Sequence, residues 1–334
     1  MCCGALRTNA LRRATPALIK PARPGSALHL TQLPEQLDQR VLLIIHDPLV
    51  EAQRHQCLHR ALGWNDPDDL ARQYCADVVL ASHGRVHYRI VERVLVDAFP
   101  AKQDGFTYTA QHYLDCWRSR SGFHQPDAVD YMRLIQRFNI LQRVHANEID
   151  EVWLIAFPYA GYYESIMGGP NAFWCNAPPL ANTGAAGRRF VIMGFNYERG
   201  PGEMLENLGH RTESIMARVF AQAPAAHNLW ERFTRHERTH PGRAECGNVH
   251  FAPNSERDYE WGSIMPVQCS ADRWLNFPEL GGETRPMNCA DWGGGDIRAH
   301  HLWWLQRLPH TTGSSTQVSH NWWEYIMRPD RVAG

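Results

Sequence analysis

Apolar residues gather along this chain in short unbroken runs rather than in alternation with polar ones. Val41 to Ile45 is apolar throughout and stops at His46-Asp47-Pro48, Val152 to Phe157 stops at Pro158-Tyr159, and Arg189 to Phe195 is apolar after its first residue. Runs of this kind predict strands buried on both faces, as in a parallel sheet covered by helices. Between them the spacing predicts helices over Glu51 to Leu62, from Asp66-Pro67 onward with Asp as N-cap and Pro in the first turn, over Ala110 to Arg118, over Ala128 to Val144, and from about Gly202 to Ala221. Val86 to Val96 reads as a further extended stretch. Strands alternating with helices give an α/β fold, a largely parallel sheet with flanking helices, in which the Val41, Val152 and Arg189 strands are central neighbours. From Gly242 the pattern turns to Gly, Pro and Asn, and seven of the twelve tryptophans lie at or beyond residue 261. The expected organisation is a disordered basic arm over residues 1–38 and one α/β domain over 39–334, elaborated and loop-rich in its part 242–334.

In open α/β sheets ligands collect where the strands end, because the loops there face a common crevice. Three such junctions offer His46 and Asp47, then Tyr162, Tyr163 and Glu164, then Asn196 to Glu198. Asp47, Tyr162, Tyr163 and Asn196, with Asn254 from the C-terminal part, are the candidate substrate-binding residues. The helix after the last junction carries Glu203, Glu206, His210 and Glu213 at roughly 0°, 300°, 340° and 280°, one narrow stripe opposite Met204, Leu205, Leu208, Ile215, Met216 and Val219. Three carboxylates around one imidazole suit a divalent cation, zinc or manganese. The stripe also has a plain reading as a solvated acidic face. Gly209 favours the first, since glycine costs about 1 kcal/mol inside a helix unless something packs closely against it. His250, in Cys246-Gly247-Asn248-Val249-His250, supplies a distant second imidazole that can converge with His210. The candidate catalytic residues are therefore Glu164, His210, Glu213 and His250, and the candidate metal ligands His210, Glu206 and His250.

Other motifs compete. His236-Glu237-Arg238-Thr239-His240 matches the zincin pattern, in which two imidazoles one helical turn apart bind zinc and the Glu activates water. Pro241-Gly242 follows at once and would stop the helix that pattern needs. Cys246 and His250 offer a thiol and an imidazole, although closeness in sequence is not how such catalytic pairs usually arise. Gly200-Pro201-Gly202 matches no phosphate-loop pattern, and Glu198, Glu203 and Glu206 would repel a phosphate there. His300-His301 follow Asp296, a natural N-cap, and one of the two can also face the site. The late tryptophans, with Tyr162 and Tyr163, read either as core or as platforms for sugar rings.

Three stretches, Ile149 to Pro178, Arg189 to Met216 and Cys246 to Gly262, resemble together a family of uncharacterised bacterial proteins, with the Gly209 to Ser214 segment (GHRTES) and the Cys246 to Ser255 segment (CGNVHFAPNS) as its signature. The resemblance implies no activity, and the His236-to-His240 motif stands outside it.

Charge and composition narrow the classes. With 34 basic against 35 acidic residues no general field draws nucleic acid, and no apolar run is long enough to span a bilayer. Residues 1–34 carry Arg7, Arg12, Arg13, Lys20 and Arg23 and no acid. They lack the apolar core of a secretory signal, and an organelle-targeting reading stays open. The nine cysteines form no C-x-x-C pair, which disfavours a zinc ribbon. The expected function is a hydrolase, metal-assisted, working at the strand ends on a small molecule or carbohydrate. The alternatives are a non-catalytic carbohydrate binder using aromatic loops and a zincin-type peptidase through His236, Glu237 and His240.

Overall fold

The computed structural model describes residues 35–51 and 56–333. Residues 1–34 of the expected arm lie outside the described residues, and Leu37 and Asp38, placed in that arm by sequence, already belong to the first strand. In chain order the strands that position the site are β1 (Leu37–His46), β2 (Leu49–Glu51), β3 (Gln56–Cys57), β4 (Val86–Val96), β5 (Glu151–Ala156), β6 (Ser165–Gly168) and β7 (Phe190–Asn196). The helices are α1 (Leu58–Leu62), α2 (Pro67–Ala81), α3 (Ala110–Ser119), α4 (Tyr131–Arg137), α5 (Ile140–His145), α6 (Pro201–Val219), α7 (Leu229–Phe233), α8 (Ile297–Leu305) and α9 (Trp323–Met327).

Five strands form one sheet in the order β4-β1-β5-β7-β6, parallel except for β6. The three apolar runs are its adjacent central strands: Val41 pairs with Glu151, and Glu151 in turn with Val191. Successive residues of these strands point to opposite faces, and both faces are covered. Leu43, Ile45, Trp153, Ile155, Val191 and Met193 pack in one core with α2, α6 and α8, while Leu42, Ile44, Val152, Leu154 and Ile192 pack in a second core with α4 and α5. That two-sided burial is why the runs do not alternate. The chain is an α/β protein.

Several boundaries follow local chemistry that periodicity does not report. The helix expected over Glu51 to Leu62 is helical only from Leu58, because the chain first doubles back with Leu49 paired to Cys57. The helix expected over Ala128 to Val144 is two, α4 and α5, broken at Asn139, whose φ of 51° is left-handed. Asn tolerates that region better than most side chains. The α2 start is as read, with the Asp66 carboxylate accepting from the amides of Asp68 and Asp69.

Helix α6 lies across the sheet and is anchored through its buried side. Arg211 pairs with Glu151 at 2.6 Å, both side chains 1% exposed, and also donates to the Ile326 carbonyl of α9. The remaining carboxylate oxygen of Glu151 accepts from the Trp153 indole at 2.8 Å. A Cβ on Gly209 would sit 2.5 Å from Cγ2 of Val249, so the close packing that this glycine signals is the C-terminal loop lying on the helix. In that C-terminal part Trp274, Trp292, Trp304, Trp322 and Trp323 are fully buried, and Trp261 and Trp303 nearly so. Trp274 and Trp322 pack with tilted rings in one aromatic core, where Trp274 stacks on Phe277 and meets Phe233 edge-on. The late tryptophans are core, and the aromatic loops expected to meet sugar rings lose them. Among the described residues no helix is long and apolar enough to cross a membrane.

Candidate functional site

The site is built where β5 and β7 end. Just beyond β5 the chain places Glu164, and just beyond β7 it enters α6, whose start is closed by the Glu203 carboxylate accepting from the Gly200 amide at 3.1 Å. Two turns on, Glu206 and His210 face the crevice. Gly209 lets the loop carrying Val249 and His250 settle against the helix, and Val249 donates its amide to Glu213 at 3.1 Å. Glu213 thus ties helix to loop while its other oxygen takes the Nδ1 of His210 at 3.0 Å. The exposed Asp258 carboxylate stands beside His250 as an ion-pair contact, with Oδ1 3.1 Å from Nδ1.

Both imidazoles therefore have Nδ1 on a carboxylate, from which it is inferred that the proton sits there and that each Nε2 offers a lone pair. Those two Nε2 atoms face each other at 3.1 Å. Oε1 of Glu206 lies 3.4 Å from the Nε2 of His250 and 3.9 Å from that of His210. Oε2 of Glu164 stands 3.8 Å from the Nε2 of His210, held by the Asn176 amide at 2.5 Å. Two Nε2 atoms and a carboxylate converging this closely repel one another unless a shared proton or a cation sits among them. Tetrahedral zinc with bonds of 2.0–2.2 Å has ligand–ligand edges of about 3.3–3.6 Å, and the three observed edges lie around that value. Exposure is graded across the cluster, from 7% for the Glu206 side chain through 15% and 28% for the imidazoles to 43% for Glu164, so the open side is the Glu164 side.

The electrostatics agree with a site that gathers positive charge. Burial disfavours the charged form of His210 more than any other single influence, yet the hydrogen bond His210 donates to Glu213 and the nearby carboxylates outweigh it and raise its pKa. The hydrogen bond with Glu206 raises the pKa of His250 against the cost of burial. Burial pulls Glu206 upward, but His250, His301 and His210 prevail and hold it below the usual carboxylate range. His301, one of the pair after Asp296, is thus close enough to act on Glu206, while its own pKa is pushed down to about 4 by burial.

Of the sequence-predicted residues, Glu164, Glu206, His210, Glu213 and His250 come together; the others are placed as follows. Tyr162 donates to, or accepts from, the Nδ1 of buried His46 at 2.7 Å, and Tyr163, 40% exposed, donates its amide to the Tyr131 hydroxyl. Tyr162 and Asn196 line a cleft of about 220 Å³ that also contains Glu164, Glu203 and Asn207. The Asn196 side chain accepts from the Glu198 amide and shapes the turn. Asn254 is buried and donates to the carbonyls of Ser263 and Met265, so it braces the loop beneath the site. Asp47 belongs to a different cluster with Cys57 and His59, where burial and then Asp47 push the thiol up to about 11.

The zincin expectation is corrected here. His236 to His240 form a turn rather than a helix, with the amides of Thr239 and His240 both on the His236 carbonyl. The Glu237 carboxylate is taken by the Gly242 amide, and His236 stacks on Phe251. Pro241 ends any helical continuation. Cys246 is fully buried with its thiol directed at the Ala271 carbonyl, a packing role. Cys246, Cys269 and Cys289 are free thiols. Sequence reasoning missed Asp258, Asn176 and Tyr259, the last lying with its ring 4.2 Å from that of His250. Their only signal was position, inside the stretches Ile149 to Pro178 and Cys246 to Gly262.

No known protein family, no curated protein and no solved structure matches the chain.

Proposed function

We propose that the chain is a metal-assisted hydrolase, with Glu206, His210 and His250 as ligands of one divalent cation and Glu164 as the general base beside it. The observation that carries this reading is that the Nε2 atoms of His210 and His250 converge on Glu206, with His210 held at Nδ1 by Glu213 and the Asp258 carboxylate 3.1 Å from Nδ1 of His250. Carboxylates behind ligating histidines fix the tautomer and raise ligand basicity. Three protein ligands leave an open coordination position, the arrangement of catalytic rather than closed structural zinc. A cation held by Glu206, His210 and His250 would supply a water made acidic enough to ionise near neutral pH. Glu164, on the open side, is placed to accept a proton there and to return it to a leaving group. The 220 Å³ cleft that shares Glu164 is smaller than most ligand pockets, which fits a small substrate or the end of a longer one.

The test is metal analysis of purified protein together with a hydrolysis screen, with and without chelator. His210→Ala should lower the bound metal by one equivalent and abolish chelator-sensitive hydrolysis while the protein stays folded. Full hydrolysis by folded His210→Ala overturns the reading. The carbohydrate-binding alternative rests now on the exposed rings of Tyr163, Trp174 and Tyr259; a protein of that kind keeps sugar binding in His210→Ala.

A further inference from the structure

A second group of ligand atoms lies at the end of β1, built by elements the hydrolase reading does not use. Asp47 follows β1 directly. The β2–β3 hairpin pairs Leu49 with Cys57, which brings Cys57 back beside it, and α1 starts at the next residue. The cluster is therefore complete within a short stretch of chain. The Asp47 carboxylate grips that helix start twice, accepting the His59 amide on Oδ1 at 3.0 Å and approaching the His59 Nδ1 with Oδ2 at 2.6 Å. The thiol of Cys57 approaches the same Nδ1 at 3.3 Å. All three ligand atoms lie within 4.8 Å of one another, with the Asp47 and His59 side chains 3% and 9% exposed and Cys57 half-buried.

Two chemistries could use a thiol, an imidazole and a carboxylate, and the geometry separates them. A nucleophilic relay needs the thiol and the carboxylate on opposite nitrogens of the ring, so that one side takes the proton while the other orients the base. Here both sit on Nδ1, which carries at most one proton, and the relay has no path. A metal ion needs sulfur, nitrogen and oxygen donors gathered within bonding reach of one point, and the three ligand atoms lie within 4.8 Å of one another, joined here by hydrogen bonds to Asp47 that a cation would displace. Bonds of about 2.3 Å to sulfur and 2.0–2.2 Å to nitrogen and oxygen place tetrahedral edges near 3.3–3.6 Å. The sulfur–nitrogen contact already has that length, and the nitrogen–oxygen contact opens once a metal replaces the proton between them.

We propose that Asp47, Cys57 and His59 form a second metal site, selective for zinc through its thiolate, independent of the cation at Glu206, His210 and His250. Binding would exchange the Cys57 thiol proton for the metal–sulfur bond and release it to solvent, while the proton shared by His59 Nδ1 and Asp47 leaves Nδ1 and the neutral imidazole takes up its proton on Nε2. Thiolate favours zinc over manganese, whereas the Glu206 site offers only nitrogen and oxygen. The two sites therefore differ in which ions they accept.

Cobalt distinguishes them, because only a site with a thiolate gives sulfur-to-cobalt charge-transfer absorption. Reduced full-length protein, stripped with chelator and titrated with Co²⁺, should develop that absorption to saturation at one equivalent per chain, and Zn²⁺ should bleach it. Cys57→Ser should remove the band and weaken zinc binding at this site by more than the ~10–100-fold typical of losing an outer-sphere partner. Glu206→Gln should leave the band intact, which separates this proposal from the hydrolase reading. In the unaltered protein Zn²⁺ should slow alkylation of Cys57, located by mass spectrometry, and leave the half-buried Cys75 unchanged. A titration without the band, a band that survives Cys57→Ser, or Cys57 alkylation indifferent to zinc overturns the proposal.

Discussion

The residue that decides most about the candidate site is a glycine, not a ligand. Gly209 has no side chain where Val249 must lie, and Val249 both precedes His250 and holds Glu213 through its amide. Gly209→Ala puts a carbon 2.5 Å from Cγ2 of Val249, so the loop must lift. Overpacking of this sort costs about 1–3 kcal/mol, and here the displacement also parts His250 from His210. The expected outcome is a lower melting temperature together with weaker metal binding, from a substitution that touches no ligand; unchanged metal affinity by calorimetry refutes the coupling. The same position explains what the sequence made readable. The stripe of Glu206, His210 and Glu213 follows from helical geometry, and an interior glycine announces a close neighbour. That the neighbour carries His250 is not legible there; His250 stands out only as a second, distant imidazole able to converge with His210. Asp258 and Asn176 left no periodic trace, because each acts through one hydrogen bond made across a loop.

At the scale of elements, legibility tracks burial. β1, β5 and β7 are buried on both faces and read directly as apolar runs, and α2 announces its start through Asp66. The elements misread are those set by a single backbone event: the left-handed Asn139 that divides α4 from α5, and the return of the chain that shortens α1. The His236 motif misleads for the same reason, since a residue pattern specifies a metal site only on the helix that aligns it. Helix α6 presents Glu206 and His210 to the candidate site and Arg211 to the core, and this gives a prediction. Arg211, one residue after His210, points into the core and pairs with Glu151. Breaking one partner of a buried, hydrogen-bonded ion pair costs about 3–5 kcal/mol, because the other charge is left stranded. Arg211→Met should therefore lower stability by that order in denaturant unfolding while the folded fraction binds metal with unaltered affinity. A neutral effect on stability would show that the Glu151 charge finds another partner.

The whole molecule carries a pH dependence written by buried imidazoles outside the candidate ligand set. Burial pushes His46 down to about 3 and His301 down to about 4, and drives His300 well below its ordinary value. Each is neutral in the folded protein and takes up a proton when unfolded below about pH 6.5, so their contribution is harmless above that pH and erodes stability progressively as pH falls toward 3–4. His210 and His250, raised rather than lowered, act in the opposite sense in metal-free protein: their contribution is present below about pH 6.5 and fades as pH rises through their folded values. His300 stacks on Trp261 at 5.3 Å and neither of its nitrogens has a hydrogen-bond partner among the described residues. His300→Phe should thus stabilise the protein at pH 7, where a bare polar ring is removed, and more so at pH 5. Equal gains at the two pH values would argue that His300 is charged in the folded state. The strand order has a consequence in time. β1 is the first strand made, yet its central partner β5 lies 110 residues further on, from Val41 to Glu151. At ~5–20 residues per second a ribosome needs about 5–20 s to bridge that gap, during which β1 has only β4 to pair with and its inner edge stays open. Asp47, Cys57 and His59 emerge almost together and could hold an ion on the nascent chain, whereas Glu206 and His210 must wait for His250, so the two clusters would fill in a fixed order set by translation.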